Sequence, residues 1–184
     1  MTRTLEDLKP VLQDQNSQGP SPVYSVEPAK VESWVNKTTI QPGKIGEEYT
    51  KTFGHYHTAK AEPELYRVES GEGILVLQKK HTEVGEWIPE KVDQVLLVRA
   101  KAGDQILITP EYGHSWSNVG SSPLVLLDNW AYNHSDEDYA FIAKHRGMAY
   151  YLTDNGEAPT PVRNENYVDT PEPIWATSQQ LPQA

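Results

Sequence analysis

From Val23 onward the chain is built of short runs rich in Val, Ile, Leu and Tyr, separated by Gly, Pro and acidic residues. The runs fall around Val23–Val26, Trp34–Ile40, Glu48–His57, Glu64–Val68, Ile74–Gln78, Val92–Ala100, Asp104–Thr109 and Leu124–Trp130. β-Branched and aromatic side chains suit a pleated surface, and many short strands at this spacing predict an all-β sandwich or barrel. Ile74–Gln78 and Leu124–Leu127 are almost continuously apolar, which predicts strands covered on both faces. Lys79–Lys91 is polar and predicts a long hairpin loop.

Two segments depart from this pattern. SDEDYAFIAKHRG offers Ser135 as N-cap, Asp138 three residues on, basic residues near the end and Gly147 as a stop, which predicts a helix of about two or three turns. Met148–Thr153 then predicts a further strand. At the start of the chain, Thr4 and Asp7 have capping-box spacing for a short helix around Leu5–Leu12. The turn-rich run NSQGPSP follows it. Residues 1–22 therefore read as helix and linker, 23–154 as the barrel, and 155–184 as a Pro-, Asn- and Glu-rich tail lying on the barrel or fraying.

A chain of 184 residues suits one domain. Its formal net charge of −10 disfavours nucleic acid and anionic membranes as partners. An anionic substrate would therefore need a local site that overcomes the overall field. There is no cysteine, so neither disulfides nor thiol chemistry enter. No apolar stretch approaches the ~20 residues that cross a bilayer, and MTRTLEDLKP has no signal-peptide core. The expectation is a cytoplasmic protein.

The chemistry concentrates in TFGHYHTAKAEPELYRVESGEG, residues 52–73. His55 and His57, two apart on an extended segment, point to one face, as do Glu64 and Tyr66 on the next. His114 lies in TPEYGHSWSN, at the end of another apolar strand. Three imidazoles and a carboxylate gathered inside a barrel would suit Fe(II), Mn(II), Zn(II), Ni(II) or Cu(II). Taken singly, each residue also has an ordinary reading: a partly buried histidine pair, a solvated glutamate, a turn histidine and a core tyrosine. His81, His134 and His145 lack such pairing and read as surface residues.

GHYHTAKAEPELYRVESG resembles the first cupin motif: Gly, His-x-His, a Glu seven residues later and Gly71 seven beyond that. GDQILITPEYGHSWSN resembles the second, with Glu111-Tyr112-Gly113 between Pro110 and His114. The flanks narrow the resemblance further. TTIQPGKIGEEYTKTFGHYH, DYAFIAKHRGMAYYLTDNG and LEDLKPVL are similar to the corresponding segments of the cupin-type glucose-6-phosphate isomerases of archaea and some bacteria.

That resemblance implies a single cupin barrel, a double-stranded β-helix with a few short helices. It also implies one divalent metal ion per chain, Fe(II) foremost with Mn, Zn or Ni as alternatives, held by His55, His57, Glu64 and His114. The implied activity is interconversion of glucose 6-phosphate and fructose 6-phosphate by a homodimer. Glu64 and Tyr66 would be catalytic, and Thr38, Thr52, Gly54, Tyr66 and Tyr139 would contact the sugar phosphate. On an ideal strand Thr52 is out of phase with His55, so a bulge at Gly54 is needed to bring it round. After the second motif this chain reads WAYNHSDEDY, with Glu137 where the family has His. His134, Trp130 or Tyr132 is left to fill that wall. Two other classes use the same fold: a cupin dioxygenase on a small organic substrate, and a non-catalytic sugar-binding cupin.

Overall fold

The alternation of apolar and polar residues in ELYRVES and the apolar runs ILVL and LVLL form strands where they are expected, and two capping boxes start the helices. The computed structural model describes residues 1–58 and 60–181. In chain order the elements are β1 (Thr2–Arg3), α1 (Leu5–Leu8), β2 (Tyr24–Pro28), β3 (Asn36–Ile40), β4 (Lys44–Ile45), β5 (Glu48–Tyr49), β6 (Glu64–Ser70), β7 (Glu72–Glu83), β8 (Glu86–Lys101), β9 (Gln105–Ile108), β10 (Tyr112–Asn118), β11 (Leu124–Asp128), α2 (Asp136–Lys144), β12 (Tyr150–Asp154), β13 (Pro159–Arg163) and β14 (Ile174–Thr177).

One sheet runs β1-β2-β3-β11-β6-β9 and a second runs β10-β7-β8-β14. The free edge of β10 is completed by the segment before β6, through the bridges Lys51↔Ser117 and His55↔His114. Successive strands thus cross between two antiparallel sheets, with β3, β11, β6 and β9 on one side and the 51–55 segment, β10, β7 and β8 on the other. This is the strand order of the cupin double-stranded β-helix, in which each sheet buries the other's edge and inner face. Ile40, Val68, Ile106, Leu124 and Leu126 of the first sheet and Ile74, Leu75, Leu97 and Trp116 of the second are fully buried. A smaller sheet, β13-β12-β5-β4, closes one flank.

The ends of the chain are tied to this frame. β1 pairs with β2, Arg3 opposite Tyr24. Pro10 converts the end of the first helix to a tight turn over Lys9–Val11, and Leu8, Val11 and Leu12 are buried. The buried Lys51 ammonium pairs with Glu48 and donates to Val11 O at 2.7 Å, while Gln13 N–H donates to Glu48 at 3.1 Å. At the other end, β13 pairs with β12 and β14 lies parallel to β8. Among the described residues no helix is long and apolar enough to cross a membrane.

Four local expectations are corrected. Lys79–Lys91 is not a loop: β7 and β8 stay paired through Lys80↔Val92 and Thr82↔Trp87, and the turn is Val84–Gly85, both at positive φ. The ribbon is only partly buried and is rich in Lys, Glu, His and Thr, so its sequence mimics a loop. Glu48–His57 is regular only at Glu48–Tyr49, because Gly54 takes φ +84 and breaks the ladder into single bridges. His114 sits within a strand of its own, Tyr112–Asn118, whose small and polar residues concealed it. His145 is buried rather than superficial. It is stacked on Tyr167 at 4.6 Å, and its Nδ1 lies 2.8 Å from Phe141 O.

Candidate metal centre

The histidines converge because β10 pairs with an irregular segment. His55 N–H donates to His114 O at 3.1 Å and His114 N–H returns to His55 O at 2.9 Å. Directly opposed residues of an antiparallel pair share a face, and these two rings lie 4.2 Å apart between centroids. His57 comes back to the same side, its Nε2 3.1 Å from His55 Nε2. Glu64 opens β6 on the facing sheet and sends Oε2 to 3.4 Å from His57 Nε2 and 3.2 Å from His114 Nε2. One ligand atom from each of His55, His57, Glu64 and His114 lies within 4.8 Å of all the others. Gly113 is required beside this cluster, since a Cβ there would meet the Tyr56 ring at 2.6 Å.

Burial dictates the charge states. It takes His57 down to about 3, His114 down to about 4 and His55 well below the usual histidine value, with neighbouring imidazoles adding to the effect at His55 and His57. Burial also pushes Glu64 up to about 8. At pH 7 the three rings are neutral, so the close N···O approaches are not ion pairs. His114 Nε2 and Glu64 Oε2 are buried without a hydrogen-bond partner among the described residues. Such groups are costly unless something satisfies them. Three imidazole nitrogens and one carboxylate oxygen fit a first-row divalent cation, whose charge would also hold Glu64 ionised.

His55, Glu64 and His114 line a cavity of about 530 Å³. His57 lies behind them, stacked on Trp130 with ring centroids 3.6 Å apart. Each substrate-contact residue named from the sequence (Thr38, Thr52, Gly54, Tyr66 and Tyr139) also lines this cavity. Thr52 reaches it because of the turn at Gly54. Its hydroxyl accepts from Trp116 N–H at 3.0 Å and lies 3.3 Å from Ser115 Oγ.

The cavity holds residues that sequence reasoning missed. Asp128 accepts from Asn36 Nδ2 at 2.8 Å and from Trp130 N–H at 3.0 Å. Burial first, and then the nearby Glu64, push it up to about 7. An acid ending the apolar run LVLLD was the available signal. His134, read from the sequence as a surface residue and also as one candidate for the wall after the second motif, is partly buried. It lines the cavity with its ring 4.2 Å from that of His55 and its Nδ1 3.5 Å from Asp138 Oδ2. Arg3, assigned to the leader, lines the cavity as well.

A family model described as Glucose-6-phosphate isomerase (GPI) matches residues 21–170. The chain belongs to the glucose-6-phosphate isomerase family. Curated relatives include the glucose-6-phosphate isomerases of Pyrococcus abyssi, 30% identical over 137 residues, and Thermococcus gammatolerans, 31% identical over 136 residues; each alignment covers 73% of this chain. Another, from Sinorhizobium medicae, is 32% identical over 120 residues, 65% of this chain. The chain spans 66%, 65% and 50% of the length of these relatives, respectively. An oxalate oxidase in complex with glycolate superposes with a TM-score of 0.40 and 16% identity, over 58% of this chain and 49% of that one. So remote a likeness carries no functional argument, and the fold rests on strand order. Relative to the isomerase family pattern, Glu137 is exposed on α2, while His134, three residues earlier, reaches the cavity.

Proposed function

We propose that this chain is a metal-dependent aldose–ketose isomerase interconverting glucose 6-phosphate and fructose 6-phosphate. The observation that carries the reading is the convergence of His55, His57, Glu64 and His114 at a cavity of sugar-phosphate size, in a chain of this family. A divalent ion held by these four residues, Fe(II) foremost, would act as a Lewis acid on the substrate's C1 and C2 oxygens.

The protein's own groups account for the remaining needs of the reaction. Glu64 is the carboxylate nearest the imidazoles and carries the proton between C1 and C2 through an enediolate. Tyr66 is buried two residues along the same strand. Burial holds its phenol protonated, well above the usual range, so it donates to a substrate oxygen. The buried Trp116 lines the cavity and limits water at the reacting carbons, which strengthens both interactions. Thr38, Thr52, Gly54 and Tyr139 hold the phosphorylated end. A hydride shift with Glu64 as ligand alone is the competing route for the same isomerisation. The reading extends to a cytoplasmic homodimer, as the family resemblance implies.

The test is fructose 6-phosphate conversion by protein stripped of metal and reloaded ion by ion. Turnover should vanish on stripping and return with the preferred ion. Full activity in protein free of metal, or turnover that depends on O₂, would overturn the proposal.

A further inference from the structure

An acidic chain with a net charge of −10 has to attract a phosphate dianion. Glu27 and Asp136, which line the cavity, oppose this. Among the described residues, Arg3 is the only lysine or arginine that lines it. β1 pairing with β2 brings Arg3 there. The guanidinium lies 5.6 Å from the Phe53 ring centroid and 5.5 Å from that of Tyr139. Phe53 stands between Thr52 and Gly54, so the charge sits beside the left-handed turn of that segment.

The phenols of Tyr24 and Tyr139 are the hydrogen-bonding neighbours of Arg3, and neither neutralises its charge. Arg3 makes no ion pair among the described residues, and its Nε is buried without a hydrogen-bond partner. Among the described residues, the backbone N–H of Gly54, whose neighbours Phe53 and His55 both have partners, and the hydroxyl of the buried Thr38 also line the cavity without a hydrogen-bond partner. A fixed cation held by aromatic faces, with two idle donors lining the same cavity, has the composition of an oxyanion site.

We infer that Arg3 is the phosphate-recognising cation of this pocket, selecting a phosphorylated substrate against the field of the rest of the chain. This deepens the proposed function and rests on it for the identity of the sugar. Arginine is the suitable residue because its planar fork can stack on the rings and still present N–H groups to phosphate oxygens.

The experiment compares the full chain with Arg3→Met, which keeps the stem's packing, and Arg3→Lys, which keeps the charge. Calorimetric titration with inorganic phosphate should show a dissociation constant raised by roughly 10–100-fold in Arg3→Met, the worth of charge-assisted hydrogen bonds. Arg3→Lys should show a smaller rise, and KM for fructose 6-phosphate should follow the same order. A third measurement needs no variant: inorganic phosphate should protect Arg3 of the unaltered protein from phenylglyoxal, read by mass spectrometry. Unchanged phosphate affinity in a folded Arg3→Met, or modification of Arg3 at the same rate with and without phosphate, would overturn the inference. Active protein with unaltered KM in Arg3→Met would overturn it while leaving the isomerase reading intact. Protein that binds phosphate through Arg3 but turns over no sugar phosphate would support the inference and refute the isomerase reading.

Discussion

Replacing Glu64 with Gln separates the two demands on this carboxyl. Gln keeps its size and an acceptor oxygen but has neither charge nor basicity. In metal-free protein the fully buried Glu64 has its pKa pushed up to about 8 from 4.5. Below about pH 4.5 the folded and unfolded chains both keep the proton, and the group costs nothing through titration. Between about 4.5 and 8 only the folded chain keeps it, so stability falls as pH rises. Above about 8 the penalty is constant. At pH 7 it amounts to about 3 kcal/mol, from roughly 2.5 pH units at 1.36 kcal/mol each. Metal-free Glu64→Gln should therefore be more stable than the parent by up to about 3 kcal/mol at pH 7 and equal to it near pH 4. The buried histidines act in the opposite sense, since their lowered values cost stability as pH falls below about 6.5. They are common to both proteins, and the difference cancels them to first order. Urea unfolding at a series of pH values measures this. With metal restored the order should reverse, because the parent binds the ion more tightly. Turnover should meanwhile fall by roughly 10²–10⁴, the usual worth of a positioned base. Parallel pH–stability curves for the two metal-free proteins would refute the buried-carboxyl reasoning. A metal-loaded variant with near-normal turnover would exclude Glu64 as the base and leave the hydride route.

Three further outcomes are expected. His114→Ala should lose metal before it loses fold, with activity partly restored by excess ion; elemental analysis alongside turnover checks this, and full metal retention would count against His114 as a ligand. Gly113→Ala should cost about 1–3 kcal/mol in urea unfolding and weaken metal retention, because its Cβ would meet the Tyr56 ring at 2.6 Å beside His57; parental stability and metal content would show that Tyr56 yields freely. Lys51→Met should cost about 3–5 kcal/mol by stranding buried Glu48, and Lys51→Met with Glu48→Leu should recover much of it; a neutral single variant would show that the pair is not held dry.

Local signals carried the strands, the helix starts and the metal ligands. Period-two runs and continuous apolar runs specified strands, since side-chain alternation is a property of extended backbone. Thr4 with Asp7 and Ser135 with Asp138 specified both helix starts, because a capping box closes within three residues. His55, His57, Glu64 and His114 were legible because the two cupin motifs keep their spacing in this chain. Residues whose position depends on partners distant in sequence were not legible. The polar ribbon from Lys79 to Lys91 has a loop's composition and becomes strand only by pairing with itself. The Tyr112–Asn118 strand exists through its pairing with β7. His145 and Asp128 are buried by what folds over them. Arg3 reaches the cavity only because Thr2–Arg3 adds a strand beside β2, and His134 only because the chain turns back over His55 on entering α2. No local pattern marks Arg3, and only the departure of WAYNHSDEDY from the family pattern pointed to His134, since long-range packing decides which side chains face a cavity, and the sequence records each side of that packing separately.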